Sequence, residues 1–231
     1  MRVPLALALV AALASGLALA AGVWRVPDRW NPWAPLVIDA TPNLLTRYKL
    51  ERLATAPQRC LAVLSGAGWR FEPLPDTAPA PGCGLSNAVR VQAMQQWAVG
   101  SAFALSCPSA VALALWERHV VRPSARRHLH ADVVRLDHFG SYACRNLYGR
   151  AGAPRSRHAT GDAIDVAGFV LEGGQRVRVA RDWQGDDDDA RFLSEVHGGA
   201  CRFFDAVLGP DYNRAHADHL HLDRGPARIC R

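Results

Sequence analysis

The sequence predicts an α+β fold, an antiparallel sheet with helices on its flanks. Apolar residues recur at helical spacing in three stretches, 44–64, 109–120 and 190–208. Beyond residue 130 the apolar period falls to two in four short runs, the pattern of half-buried strands. The 231 residues are 49% hydrophobic and 21% charged, an ordinary globular make-up that excludes disordered, coiled-coil and collagen-like chains. Lysine and arginine exceed the acids by six, which favours acidic neighbours such as anionic envelope polymers or lipid headgroups. The arginines are scattered, with no basic run to follow a phosphate backbone, so no nucleic-acid partner is expected.

In chain order, Arg2 precedes a nearly unbroken Ala/Leu/Val run that reads either as a secretory signal or as a membrane anchor through residues 3–22. Ala18-Leu19-Ala20 has the small residues of a cleavage site, whereas Trp24, Arg25, Trp30 and Trp33 suit an uncleaved anchor with interfacial aromatics. Both readings export the chain, to the periplasm or cell envelope. Residues 23–43 carry Pro27, Pro32, Pro35 and Pro42 and are expected to be an extended tether. A helical unit is expected over 44–100, its first helix interrupted near Pro57 and followed by a proline-rich loop from Pro73. A second unit, 101–231, opens with a helix that has Pro108 in its first turn.

Strands are expected around 133–136, 163–171, 176–180 and 219–223. The helix over 190–208 is preceded by Asp186 to Asp189, where the helix dipole favours negative charge; no glycine lies among them to turn a calcium loop. Six cysteines, Cys60, Cys83, Cys107, Cys144, Cys201 and Cys230, contain no CxxC pair and read as three disulfides in an oxidising compartment. Cys60–Cys83 is the expected local pair, with the other four tying the C-terminal unit together.

Chemistry concentrates in two stretches. One is Ser156-Arg-His158-Ala-Thr-Gly161-Asp-Ala-Ile-Asp165, the other His216-Ala-Asp218-His219-Leu-His221-Leu-Asp223. Residues two apart on a strand share a face, so His219 and His221 point into one space while Leu220 and Leu222 face the packed side. Gly161 permits the turn that brings His158 towards Asp165. A His/Asp/His set suits Zn2+ and leaves a fourth position, as a catalytic site requires.

The pattern SxHxxGxAxD followed downstream by HxH resembles the LAS-type zinc peptidases, which include lysostaphin-like enzymes, D-Ala-D-Ala peptidases and the hedgehog signalling domain. Over residues 28–231 the chain resembles the bacterial extensin-like C-terminal family, through CPSAVALALWE, GSYACRN, RHATGDAIDVAGF, FLSEVHGGAC and HADHLHLD. The resemblance implies a LAS/hedgehog-type fold, zinc held by His158, Asp165 and His221, and hydrolysis of peptidoglycan peptides. It makes His216 and His219 the catalytic assistants, one accepting a proton and the other stabilising an oxyanion or protonating the leaving amine, without saying which does which. Asp218 stands where D-Ala-D-Ala peptidases place a glutamate; its shorter side chain and opposite strand parity make it a poor base. Asp223, on the face of His219 and His221, is read as a carboxylate that orients an imidazole. Ser141-Tyr142-Ala-Cys-Arg145 is similar to a Ser-x-Tyr-Arg segment of the same peptidases with two residues inserted. Arg145 is therefore the expected carboxylate-binding residue, with Tyr142 beside it or buried as a core aromatic. The rival expectation is a catalytically silent, zinc-stabilised envelope-binding or scaffolding domain.

Overall fold

The computed structural model describes residues 3–20 and 25–231. Residues 21–24, where the apolar leader joins the tryptophan-rich segment, lie outside the described residues. Helix α1 (Val3–Ala20) has 18 residues, about 27 Å at 1.5 Å per residue. Among the described residues no helix is long and apolar enough to cross a membrane.

Residues 28–43 do not form a free tether. A 3-10 turn at Asp28–Trp30 is followed by Leu36 and Ile38, both buried in the main core. Prolines supply the extended backbone as expected, but the apolar residues between them give the segment a reason to dock. Helix α2 (Leu44–Glu51) starts at an Asn43 capping box, and α3 (Pro57–Ser65) starts at Pro57, so the expected interruption is present.

The loop expected from Pro73 to Gly82 holds the end of β1 (Arg70–Leu74) and all of β2 (Thr77–Ala80), and the helical unit expected around it also contains β3 (Cys83–Leu85) and β4 (Ala88–Ala93). Pro73 is tolerated because β1 is an edge strand that pairs only with β4. Strand β5 (Ala98–Ser106) pairs with β4 and runs across the expected boundary at 100, so the proposed helical unit and its neighbour share one sheet.

Helix α4 (Cys107–Trp116) is buried at every residue, which explains its uniformly apolar sequence. The indole N–H of Trp116, fully buried, donates to the Val196 carbonyl at 2.8 Å. The helical path does not stop at residue 120: a π-helical turn, Glu117–Val121, leads into α5 (Arg122–His128). Pro123 lacks an N–H, and the widened turn before it accommodates the missing bond.

Next come β6 (Val133–Gly140), β7 (Ala163–Leu171), β8 (Arg176–Arg178), the short α6 (Val179–Asp182), α7 (Asp188–Ala200), β9 (Ala206–Leu208), β10 (Leu220–Asp223) and β11 (Ile229–Cys230). The Asp187 side chain caps α7 by accepting from the Ala190 N–H at 2.9 Å. This helix ends earlier than its periodicity suggests. Gly198 and Gly199 fall at its end, where a side chain on Gly199 would collide with Val120, and Val207 becomes a strand residue.

The main sheet has nine strands in the order β1-β4-β5-β6-β7-β10-β9-β11, with β8 also pairing with β7. It is mixed rather than purely antiparallel: β5 lies parallel to β6 and β11 parallel to β9. The β5–β6 crossover contains α4 and α5, as a parallel connection needs. The α+β class is therefore correct.

Three disulfides are present, Cys60–Cys107, Cys83–Cys144 and Cys201–Cys230. The expected Cys60–Cys83 pair is not formed. Cys60 lies on α3, which packs on α4 beside Cys107, whereas β3 carries Cys83 away to the turn before β7. Two bridges thus cross the boundary that the sequence suggested.

Candidate metal centre

Asp165 and His221 occupy directly opposed positions on the antiparallel strands β7 and β10. Such pairs bring their Cβ atoms to about 5 Å. Their neighbours Ile164, Val166, Leu220 and Leu222 point the other way and are wholly buried in the core. His158 comes from a 3-10 turn, Arg157–Thr160, whose N-cap Ser156 accepts from the His158 N–H. Gly161 closes that turn at φ +68°. The left-handed backbone and the close approach of Leu85, 2.7 Å from where a Cβ would stand, both require glycine there.

Three atoms converge. His158 Nε2 lies 3.2 Å from Asp165 Oδ1 and 3.2 Å from His221 Nδ1, and the last two are 2.8 Å apart. Ligands about 2.0–2.1 Å from a tetrahedral zinc ion are about 3.3 Å from one another, so this triangle fits one face of such a coordination sphere. The outer nitrogens agree. His158 Nδ1–H donates to the Ser141 carbonyl and His221 Nε2–H to Asp223 at 3.1 Å, an arrangement that turns Nε2 of His158 and Nδ1 of His221 towards the position a metal ion would take. The donor set of two imidazoles and a carboxylate also suits zinc chemically.

Without metal, the electrostatics bind the set together. Burial alone would raise the Asp165 carboxyl, but hydrogen bonds and charge from His158 and His221 hold it well below the usual carboxylate range. Burial alone would lower His221, yet Asp165 and Asp223 push it up to about 9. His221 then carries protons on both nitrogens, one towards each acid.

The other two singled-out histidines adjoin the triangle. His219 Nε2 is 3.4 Å from Asp165 Oδ1, and its Nδ1–H donates to Asp218 at 2.8 Å. The His216 ring lies 5.3 Å from that of His219 and 5.7 Å from that of His221. Burial, then the neighbouring His221 and His219, lower His216 to about 4. Its tautomer is fixed by Asn213, whose Oδ1 accepts from the Ala215 N–H at 3.0 Å and from His216 Nδ1–H at 2.8 Å. His216 Nε2 is left as a free lone pair.

Asp165, His216, His219 and His221 line a cleft of about 450 Å³. Arg145 lines it too, with no ion pair among the described residues, and so do Arg155 and Arg157. Tyr142 is half-buried and does not line the cleft. Sequence reasoning missed Asn213, Tyr148 and Tyr212. The Tyr148 hydroxyl accepts from Asn213 Nδ2 at 3.1 Å, and the Tyr212 ring lies 5.5 Å from that of His216. Asn213 stands three residues before His216 at the start of a 3-10 turn, a local capping signal that was available in the sequence. Tyr148, at φ +54°, offered none. The remaining histidines serve elsewhere; His128, for instance, pairs with Glu195.

No curated protein and no solved structure matches the chain. The family described as "Extensin-like protein C-terminus" matches residues 58–231, from α3 to the last residue and including every strand of the main sheet. That span is three quarters of the sequence, and the chain belongs to the extensin-like protein C-terminus family.

Proposed function

We propose that this protein is an exported zinc metallopeptidase of the LAS type that hydrolyses peptide cross-links of bacterial peptidoglycan. The observation that carries the reading is the pair of further imidazoles, His216 and His219, beside the His158/Asp165/His221 triangle in an open cleft. A purely structural zinc site has no use for them. Three disulfides favour an oxidising compartment, periplasm or envelope, and the apolar leader suits a secretory signal.

His158 Nε2, Asp165 Oδ1 and His221 Nδ1 would hold the ion. Zinc supplies Lewis acidity there, activating water and polarising a peptide carbonyl. His216, neutral and with Nε2 unprotonated, accepts the proton that the water loses. His219 is oriented by Asp218, which accepts its Nδ1–H, and stands with Nε2 3.4 Å from Asp165 Oδ1 at the edge of the triangle. It donates to the developing oxyanion or to the departing amine. Arg145 binds a substrate carboxylate at the rim of the cleft.

The test is mass spectrometry of muropeptides released from purified cross-linked peptidoglycan by zinc-loaded residues 25–231, run beside His219→Ala and His158→Ala. The core begins at Leu36, so this segment retains all of it. Peptide-cleaved products from the wild type alone are expected, with zinc lost only from His158→Ala. No products from protein holding one zinc per chain would overturn the peptidase reading and favour a silent envelope-binding domain.

A further inference from the structure

The segment 28–33 and the outer stripe of α2 form one surface on which large apolar side chains stay in solvent. Leu44 is 91% exposed and Trp33 75%, with Trp30 and Tyr48 about half exposed. Their placement is fixed by the fold. Thr46, Lys49 and Leu50 form the buried side of α2, so Leu44 and Tyr48, four residues apart, share the opposite side. Three hydrogen bonds clamp the preceding segment to this helix. Lys49 Nζ donates to the Asp28 carbonyl at 2.7 Å, Asn43 Nδ2 to that of Arg29 at 2.7 Å, and Arg52 Nη1 to that of Pro32 at 3.0 Å.

Cations are interleaved with the apolar groups. The Arg29 guanidinium lies 5.9 Å from the Trp30 ring centre and that of Arg52 5.7 Å from Tyr48. Neither arginine makes an ion pair among the described residues. Amphipathic rings with arginines beside them match the interfacial layer of a bilayer, where ring bodies enter the headgroup region and guanidinium groups meet anionic phosphates. Continuity points the same way. Helix α1, whose Leu7, Leu9, Val10, Leu13 and Leu17 are exposed, ends at Ala20, eight residues before Asp28. Those residues span at most about 28 Å. A second copy fits less well, because a two-fold contact would set arginine against arginine.

We propose that the surface of Trp30, Trp33, Leu44 and Tyr48, with Arg29 and Arg52, rests on an anionic lipid bilayer. The folded body is thereby held against the membrane through its own side chains. This inference does not depend on the peptidase reading.

The experiment is co-sedimentation of residues 25–231 with phosphatidylcholine vesicles containing or lacking phosphatidylglycerol, beside the variant Trp33→Ala/Leu44→Asp. Both substitutions are on the surface, and an aspartate at the first residue of α2 favours the helix dipole, so the variant keeps its fold and melting temperature. Wild type is expected to pellet with the anionic vesicles and less in raised salt. The variant should lose about tenfold or more of that binding, since it removes a ring and a leucine from the apolar contact and sets a negative charge against anionic headgroups. Absence of pelleting, equal pelleting of the variant, or equal binding to neutral vesicles would overturn the proposal. So would a dimer in vesicle-free solution that the variant abolishes, which would give the face to a second copy.

Discussion

Raising the pH from 6.5 to 9 should move the metal-free protein and its zinc affinity in opposite directions, both through His221. In the folded, metal-free chain this imidazole titrates at about 9, against about 6.5 when unfolded. A folded value above the unfolded one gives stability that is complete below pH 6.5 and lost as pH rises through 9. The difference of about 2.5 units corresponds to roughly 3 kcal/mol, or about 6–12 °C in melting temperature for a body of this size. Asp165 does not offset it. Its folded value is depressed, so its contribution is lost only in acid, below about pH 4. His119, His138, His197 and His216 are all lowered, chiefly by burial, so none of them gains a proton on folding and none adds to the loss of stability as pH rises.

Zinc must displace the His221 Nδ1 proton. At pH 7, about two units below the titration point, this weakens apparent zinc affinity by roughly a hundredfold, recovering about tenfold per pH unit. The assays are thermal unfolding of chelator-treated protein across the window, and zinc calorimetry at pH 7 in two buffers of different ionisation enthalpy. One proton released per zinc bound is expected, and His221→Gln should flatten the metal-free slope. A flat metal-free profile together with no proton release would refute the argument that two carboxylates hold this histidine charged.

Three further outcomes are expected. Replacing both Cys60 and Cys107 by alanine opens a 47-residue loop and should cost about 4 kcal/mol by denaturant unfolding, and a non-reduced peptide map should show the three observed pairs. Gly161→Ala puts a side chain into left-handed backbone and against Leu85, so a loss of about 1–3 kcal/mol together with weaker zinc binding is expected by calorimetry. Asn213→Leu removes the acceptor of His216 Nδ1–H; nitrogen NMR should show that ring losing its single tautomer, and kcat should fall with KM little changed.

The candidate site was legible because its determinants are local. Alternation in His-Leu-His-Leu-Asp states which side chains face the core and which face the cleft, whatever strand lies alongside. A glycine between His158 and Asp165 marks a turn on its own. The sheet edge was less legible. Strands β1 to β3 are short, β1 and β2 each carry a proline, and β2 has no fully buried residue, so their pairing rather than their pattern makes them strands. The same is true of residues 28–43, where prolines predicted the backbone but only the finished core explains the burial of Leu36 and Ile38.

Disulfide pairing lies furthest from local pattern, and its arrangement bears on the cleft. Cys83 and Cys144 are 61 residues apart, joined because β3 passes close to the 3-10 turn that carries His158. Cys144 sits between Ser141, whose carbonyl accepts from His158 Nδ1–H, and Arg145, whose own carbonyl accepts from the Ser156 N–H at 3.0 Å. Segment 141–145 is irregular, with no strand or helix to hold it. It is therefore secured by a covalent link at its centre and by hydrogen bonds to the His158 turn on both sides. Sequence spacing singles out His158, but the group that fixes its tautomer is a backbone carbonyl, which no side-chain pattern encodes. It is held in place by a bond whose two ends only the folded sheet brings together.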